Sequence, residues 1–534
     1  MKRFAWLSTL SVLVGVVMLA PARAAKTVDF DALTIADINR AFDTGALTAE
    51  KLVQLCLARI QAYDRQGPSL RAVLTLNPKA LDTARALDAE RNTKGPRSPL
   101  HGIPIVLKDN YNTADLPTTG GSLLLEGSIP PDDAFVVKKL RSAGAIVLAK
   151  VNMSEFASGP ARSSLGGQTL NPHDLTRTPS GSSGGTGVAI AAAYAPLGMG
   201  TDTGGSIRGP STSNGIVGLK PTHGLLSRSG IIPLSLSFDT GGPMARSVTD
   251  VAIALGVMTG VDPADAATTK SQGRFENDYT KYLKADALDG ARIGIARDFL
   301  GADPDVDWVV DASLDAMRKA GATIVDVRYP KWLIDVKEDF YAAVRRPEFP
   351  VQIAAYLATL GPGYPRTLPE MIERASRINA LRADGAGPNP NRWTLFKREL
   401  ESGTLDDYRY TSVHDHGLAM VREIIEGVIA TQKLDAIVYP TSSRRPGLIA
   451  ETGAPPGGGS VAGAASIANL TGFPDLIVPA GFTGDSLPVG LSFFGLAFSE
   501  PKLLALGYSF EQATHARRRP IHTPARPGET LSIP

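Results

Sequence analysis

Gly102-Ile103-Pro104-Ile105-Val106-Leu107-Lys108-Asp109 is a short apolar run that ends abruptly in two charged residues. A strand buried on both faces carries a continuous apolar run, and here it would deliver polar side chains to its own end. Downstream, residues 133–142 read as a helix, Gly144 supplies a C-terminal stop, and residues 145–149 read as a second buried strand. Strand alternating with helix argues an α/β fold. The signal returns at residues 291–296 and 323–327, which flank a helical stretch, and again at 436–439 and 476–478.

Working outward, Thr34 and Thr48 stand at N-cap positions, the first with Asp37 three residues on, and each opens a helix; the second runs to about residue 64. From residue 332 to about 430 the pattern is mainly helical, with Pro-rich breaks at 361–369 and 385–390, and reads as an elaboration of one domain. No repeat of fixed period is present. The chain has 534 residues, 43% hydrophobic and 20% charged, enough to bury a large core. Its 54 glycines and 39 prolines are spread along the sequence, so loops are numerous without being low-complexity.

Residues 1–24 read as a signal peptide: Lys2 and Arg3 precede an apolar run over residues 4–20, and Ala22-Arg23-Ala24 is an A-x-A cleavage pattern. Cleavage near Ala24 would leave residues 25–534 as an exported protein, periplasmic or secreted, with no stable membrane insertion. The segment takes Lys2, Arg3 and Arg23 with it; three from 55 leaves 52 basic against 53 acidic side chains. So even a balance gives no electrostatic footprint for nucleic acid. Cys56, the sole cysteine, excludes an intramolecular disulfide and fits the helical spacing of Leu52 and Ile60 as a core residue. No Cys/His spacing resembles a zinc site; His414-Asp415-His416, the nearest thing to a metal cluster, reads as a solvated loop or helix start.

The chemistry concentrates between residues 158 and 246, which are dense in Gly, Ser and Thr. One loop, Pro179-Ser180-Gly181-Ser182-Ser183-Gly184-Gly185-Thr186-Gly187, leads into an apolar run of small residues, 188–193, suited to a buried helix. A second, Gly200-Thr201-Asp202-Thr203-Gly204-Gly205-Ser206-Ile207-Arg208, follows. Either loop alone is compatible with a linker, but a linker has no reason to recur on the far side of an apolar run. Neither carries G-K-[ST] or G-x-G-x-x-G, which argues against nucleotide binding. Gly181 to Gly185 does satisfy G-x-S-x-G, which would make Ser183 a nucleophile served by residues such as Asp415 and His515. Glycines beside Ser206 would let backbone N–H groups approach a reacting carbonyl.

With these stretches quoted, the sequence resembles the amidase signature hydrolases over most of its length. The match comprises Leu100 to Pro104 leading to Lys108-Asp109, Gly181 to Gly185, Gly200 to Arg208, Gly215 to Thr222, Gly242 to Arg246, Leu487 to Leu491, and Glu500 with Leu503 and Leu504. Among relatives it looks most like bacterial peptide amidases. The resemblance implies one large α/β domain, a central mixed β-sheet flanked by helices, with a catalytic core at about residues 100–260 and the helical elaboration at about 332–430 shaping the entrance. It also implies a Ser-cisSer-Lys triad: Ser206 as nucleophile, Ser182 as bridging serine on a cis peptide, and Lys108 as base. The oxyanion hole it implies is the backbone of Thr203, Gly204, Gly205 and Ser206. Asp202 and Arg208 read as bracing for the loop. Departures from the family pattern fall at Ser180, where glycine is usual, and Thr186, where serine is usual.

A lysine near its ordinary value of ~10.4 is protonated at neutral pH and cannot act as a base, whereas burial lowers that value. Neutral Lys108 would draw a proton through the Ser182 hydroxyl from Ser206, and the leaving amine would receive it back. The function implied is hydrolysis of small amides or C-terminal peptide amides through an acyl-enzyme, with no cofactor and no metal. The alternatives are carbamate or ester hydrolysis, a non-catalytic binding protein, or a glutamine amidotransferase subunit.

Overall fold

The computed structural model describes residues 26–449 and 465–533; the expected signal peptide lies outside them. The strands run in chain order as β1 (Lys26–Asp29), β2 (Val73–Leu76), β3 (Pro104–Lys108), β4 (Ile146–Val151), β5 (Arg162–Ser163), β6 (Gly167–Gln168), β7 (Leu197–Asp202), β8 (Val217–Lys220), β9 (Thr240–Ala245), β10 (Arg292–Ala296), β11 (Thr323–Val327), β12 (Ala436–Pro440), β13 (Asp475–Phe482), β14 (Pro488–Phe494) and β15 (Thr530–Ile533). Eleven form one sheet in the order β11-β10-β12-β14-β13-β8-β9-β7-β3-β4-β2, while β1 with β15 and β5 with β6 make two-stranded ribbons. The sheet is mixed: β10 runs parallel to β11 and β12, and β3 runs parallel to β4 and β7. The strands between these groups are antiparallel.

Central strands are buried on both faces, as their unbroken apolar runs require; every residue of β3, β4, β7 and β9 is buried. Pro104 sits at the first position of β3, where the missing N–H does least harm to the ladder. Helix Gly184–Ala191 is buried on every side, as an apolar helix without a polar face must be. Both threonine caps form: Thr34 makes a full capping box with Asp37 ahead of helix Ile35–Asp43, and Thr48 accepts from the Lys51 N–H ahead of helix Ala49–Ile60. Cys56 is buried, and burial pushes its thiol up to about 12.

Lys108 is the last residue of β3, at the strand end as expected, and Asp109 is the residue after it. Other boundaries differ from the sequence reading. Gly200, Thr201 and Asp202, read as loop, are the end of β7, because β9 pairs along them to Asp202↔Thr240. His414-Asp415-His416 is neither loop nor helix start. It lies in a π-helical turn (Ser412–Gly417) joining helices Tyr408–Thr411 and Leu418–Gln432. Before these come helices Lys331–Leu357, Leu368–Ser376 and Pro390–Leu400; Pro369 and Pro390 sit in the first turns of the last two, while Pro347 and Pro350 lie inside the first.

Candidate active site

β3 and β7 are parallel neighbours, with Leu107 opposite Met199. That register carries Lys108 and Thr201 to the same end of the sheet, the carboxyl end, where α/β sheets open their crevices. Lys108 is fully buried. Its Nζ lies 2.7 Å from Ser182 Oγ, 2.7 Å from Thr201 Oγ1 and 3.3 Å from the Thr201 carbonyl oxygen. Burial lowers this lysine to about 7, against the opposing pull of the Asp202 and Asp239 charges. At that value about half of it is neutral at pH 7, where an ordinary lysine is almost wholly protonated. A neutral amine has two N–H donors and one lone pair, so it can donate to Thr201 while accepting from Ser182.

Ser182 follows a cis Gly181–Ser182 peptide and is buried. Its carbonyl accepts from the Ser154 N–H at 3.0 Å, and the next residue's N–H donates to the Ser206 carbonyl at 3.2 Å, which ties the two glycine-rich loops together. Ser206 is half-buried in the turn after β7. Among the described residues its hydroxyl makes no hydrogen bond, so the structure joins Lys108 to Ser182 directly and ties the Ser182 loop to Ser206 only through the Ser183 N–H. Ser183, the elbow candidate, is occupied otherwise: its Oγ donates to the Thr201 carbonyl at 3.1 Å and accepts the Thr201 N–H at 3.2 Å. A buried hydroxyl engaged as both donor and acceptor with one residue's backbone is a loop anchor.

The nucleophile loop is built around Asp202. Its carboxylate accepts the N–H groups of Gly205 at 2.9 Å and Ile207 at 3.0 Å, the Arg208 guanidinium at 3.0 and 3.1 Å, and the Asn469 amide at 2.9 Å. Burial alone would lift this carboxyl; Arg208 outweighs burial and holds it well below the usual carboxylate range. Arg208 is itself buried and reaches on to Asp475 at 3.0 Å, which also accepts from the Tyr439 hydroxyl. These charges brace the loop.

The structure divides the four expected oxyanion donors. The Gly205 N–H points back to Asp202, so it is not available to an oxyanion in this arrangement. Among the described residues, the N–H groups of Thr203, Gly204 and Ser206 donate to no protein acceptor. Gly204 is glycine for a reason of space: a Cβ there would lie 2.7 Å from the Tyr341 hydroxyl oxygen, and the Tyr341 ring stacks on Phe238 at 5.3 Å. Ser180 adopts a φ of 61°, a region glycine enters freely, which gives a physical reason for the family's glycine there. Thr186 donates to the Met199 carbonyl at 3.2 Å.

Sequence reasoning missed Thr201, which holds Lys108, and Asp239, whose carboxylate accepts from the Thr203 hydroxyl. It also missed Asn110, whose Nδ2 donates to Thr201 Oγ1 at 3.0 Å, and Tyr341. Thr201 lies inside the second glycine-rich stretch, but its pairing with Lys108 depends on the register between β3 and β7, which spacing along the chain does not carry.

Comparison with known proteins shows the family to which the chain belongs. Residues 51–504 match the family described as Amidase. The chain is 37% identical over 494 residues to a glutamyl-tRNA(Gln) amidotransferase subunit of Chloroflexus aggregans, covering 91% of this chain and 98% of the relative. It is 34% identical over 514 residues to a probable amidase of Arabidopsis thaliana, covering 93% of each. Among solved structures, the native peptide amidase from Stenotrophomonas maltophilia superposes with a TM-score of 0.81 at 38% identity, over 92% of this chain and 99% of that one. The chain belongs to the amidase signature family and is an amide-hydrolysing enzyme.

Proposed function

We propose that this enzyme cleaves small amides or C-terminal peptide amides through an acyl-enzyme on Ser206. Lys108 is the base and Ser182 the proton bridge. The observation that carries this reading is the 2.7 Å contact between the fully buried Lys108 Nζ and Ser182 Oγ. In the reaction, the neutral lysine takes the Ser182 proton as Ser182 takes that of Ser206, and the Ser206 oxygen bonds to the scissile carbonyl carbon. Return of the proton along the same path expels the amine, and water then hydrolyses the acyl-enzyme. Negative charge on the carbonyl oxygen meets the Thr203, Gly204 and Ser206 N–H groups. The 38% identity to a peptide amidase supports the substrate class.

A fluorophosphonate probe should label the wild type and not Ser206→Ala. A library of amides that includes peptide amides should then be turned over by the wild type and not by Lys108→Ala or Ser182→Ala. Absence of labelling in both proteins would favour a binding protein that keeps the fold. A second reading, the ammonia-releasing subunit of an amidotransferase, is favoured by the 37% identity to one component of such an enzyme. Glutaminase activity together with partner subunits that co-purify would establish it. Export with cleavage near Ala24 belongs to the first reading, and the N-terminal sequence of the protein recovered from its own cell tests it.

A further inference from the structure

We propose that Asp239 is a positioning residue, which holds Thr203 in place and thereby aligns the amide donors that face the scissile carbonyl. The inference rests on Ser206 being the nucleophile. Its basis is the register of the sheet: β9 runs antiparallel to β7 with Asp202 opposite Thr240, so the residue leaving β7 and the residue entering β9 are opposite one another. These are Thr203 and Asp239, both buried. The Thr203 hydroxyl donates to Asp239 Oδ1. The other oxygen, Oδ2, accepts the N–H groups of Leu234 at 2.8 Å and Ser235 at 3.0 Å.

The far side of that support is anchored on the helical block. Ser235 Oγ donates to Glu348 Oε2 at 2.6 Å, the Ser237 N–H to the same oxygen at 3.2 Å, and the Leu236 N–H to Gln352 Oε1 at 2.8 Å. Glu348 and Gln352 lie on helix Lys331–Leu357, and Glu348 is also held by the Tyr410 hydroxyl at 3.0 Å. A continuous chain of hydrogen bonds thus runs from that helix through residues 234–239 to Thr203, next to the half-buried Gly204. Three donors converge on Asp239, a number a carboxylate accepts without offering a competing N–H; asparagine would turn an NH2 group toward one of them. Oxyanion donors act when charge develops, so a displaced loop should lower kcat rather than raise KM. Burial raises the Asp239 carboxyl to about 6 against the pull of its three donors and Arg228, and its charge, after that of Asp202, opposes the loss of the Lys108 proton.

The test is steady-state amide hydrolysis by Asp239→Asn, Thr203→Val, Thr203→Ser and the double variant Asp239→Asn/Thr203→Val. Asp239→Asn and Thr203→Val should each lower kcat about 10- to 100-fold with KM within about threefold, the scale of a misaligned oxyanion donor. The double variant should be little worse than the poorer single one, because both break one link. Thr203→Ser keeps the hydroxyl and should retain most turnover. Asp239→Asn, but not Thr203→Val, should also move the acid limb of kcat/KM to lower pH, since a charge that favours the protonated form of Lys108 is lost. Unchanged kcat in either single variant, fully additive losses, or a change confined to KM would overturn the inference. Should Asp239→Asn fail to fold, as circular dichroism would show, Thr203→Val decides by itself. Failure of the underlying reading is separable: Ser206→Ala would then keep its turnover whatever Asp239 does.

Discussion

Replacing Lys108 with methionine removes the base and keeps most of the side-chain volume, so it should abolish turnover while raising stability at neutral pH. Lys108 is fully buried, and burial takes it from 10.5 to about 7. The unfolded chain binds this proton between pH 7 and 10.5 and the folded chain does not. Wild-type stability therefore rises with pH across that window and is flat below it. At ~1.4 kcal/mol per tenfold, the residue costs the folded state about 4 kcal/mol at pH 7 and about 1 kcal/mol at pH 9.5. Methionine removes that cost but leaves the Ser182 and Thr201 hydroxyls without their partner, an offset of about 1–3 kcal/mol. A net gain of about 1–3 kcal/mol is expected at pH 7, shrinking to nothing or reversing by pH 9.5. Urea unfolding followed by circular dichroism at both values, with amide turnover on the same samples, measures it. A variant less stable than wild type at pH 7, with the same deficit at pH 9.5, would refute a neutral buried lysine.

Three further outcomes are expected. Arg208→Met leaves Asp202 and Asp475 buried without their cation, and should lower the free energy of unfolding by about 3–5 kcal/mol in urea titration and abolish probe labelling. Gly185→Ala places a Cβ 2.2 Å from the Asn152 carbonyl oxygen, a backbone atom that cannot step aside, and should cost about 1–3 kcal/mol by the same measurement. Cys56, buried and with its thiol pushed up to about 12, should resist alkylation by iodoacetamide in the native protein and react once urea unfolds it, as intact mass will show.

The parts of the fold visible in the sequence are those with a local cause. β3, β4, β10, β11, β12 and β13 announce themselves as apolar runs, and Thr34 and Thr48 as caps whose bonds involve residues three positions on. β7 and β9 did not, because Gly198, Gly200, Gly241 and Gly242 break the apolar pattern. Gly198, Gly200 and Gly242 are required where neighbouring side chains or backbone approach too closely for a Cβ, a cause that lies in other elements. Lys108, Ser182 and Ser206 came from the family resemblance, and the structure brings the first two into contact. Thr201 and Asp239 were hidden because their roles depend on register between strands and not on spacing along the chain. The same limit applies to Gly205, whose N–H turns away from the site once Asp202 is folded beneath it.

The proton relay is tested most directly by the pH dependence of the acylation step itself, followed by rapid mixing with an amide substrate in excess and trapping of the Ser206 acyl-enzyme. The relay requires an acylation rate governed by one ionisation with a midpoint near 7, falling about tenfold for each pH unit below it. Acylation that proceeds equally fast from about pH 5.5 to 8.5, or that survives in Lys108→Met, would contradict it.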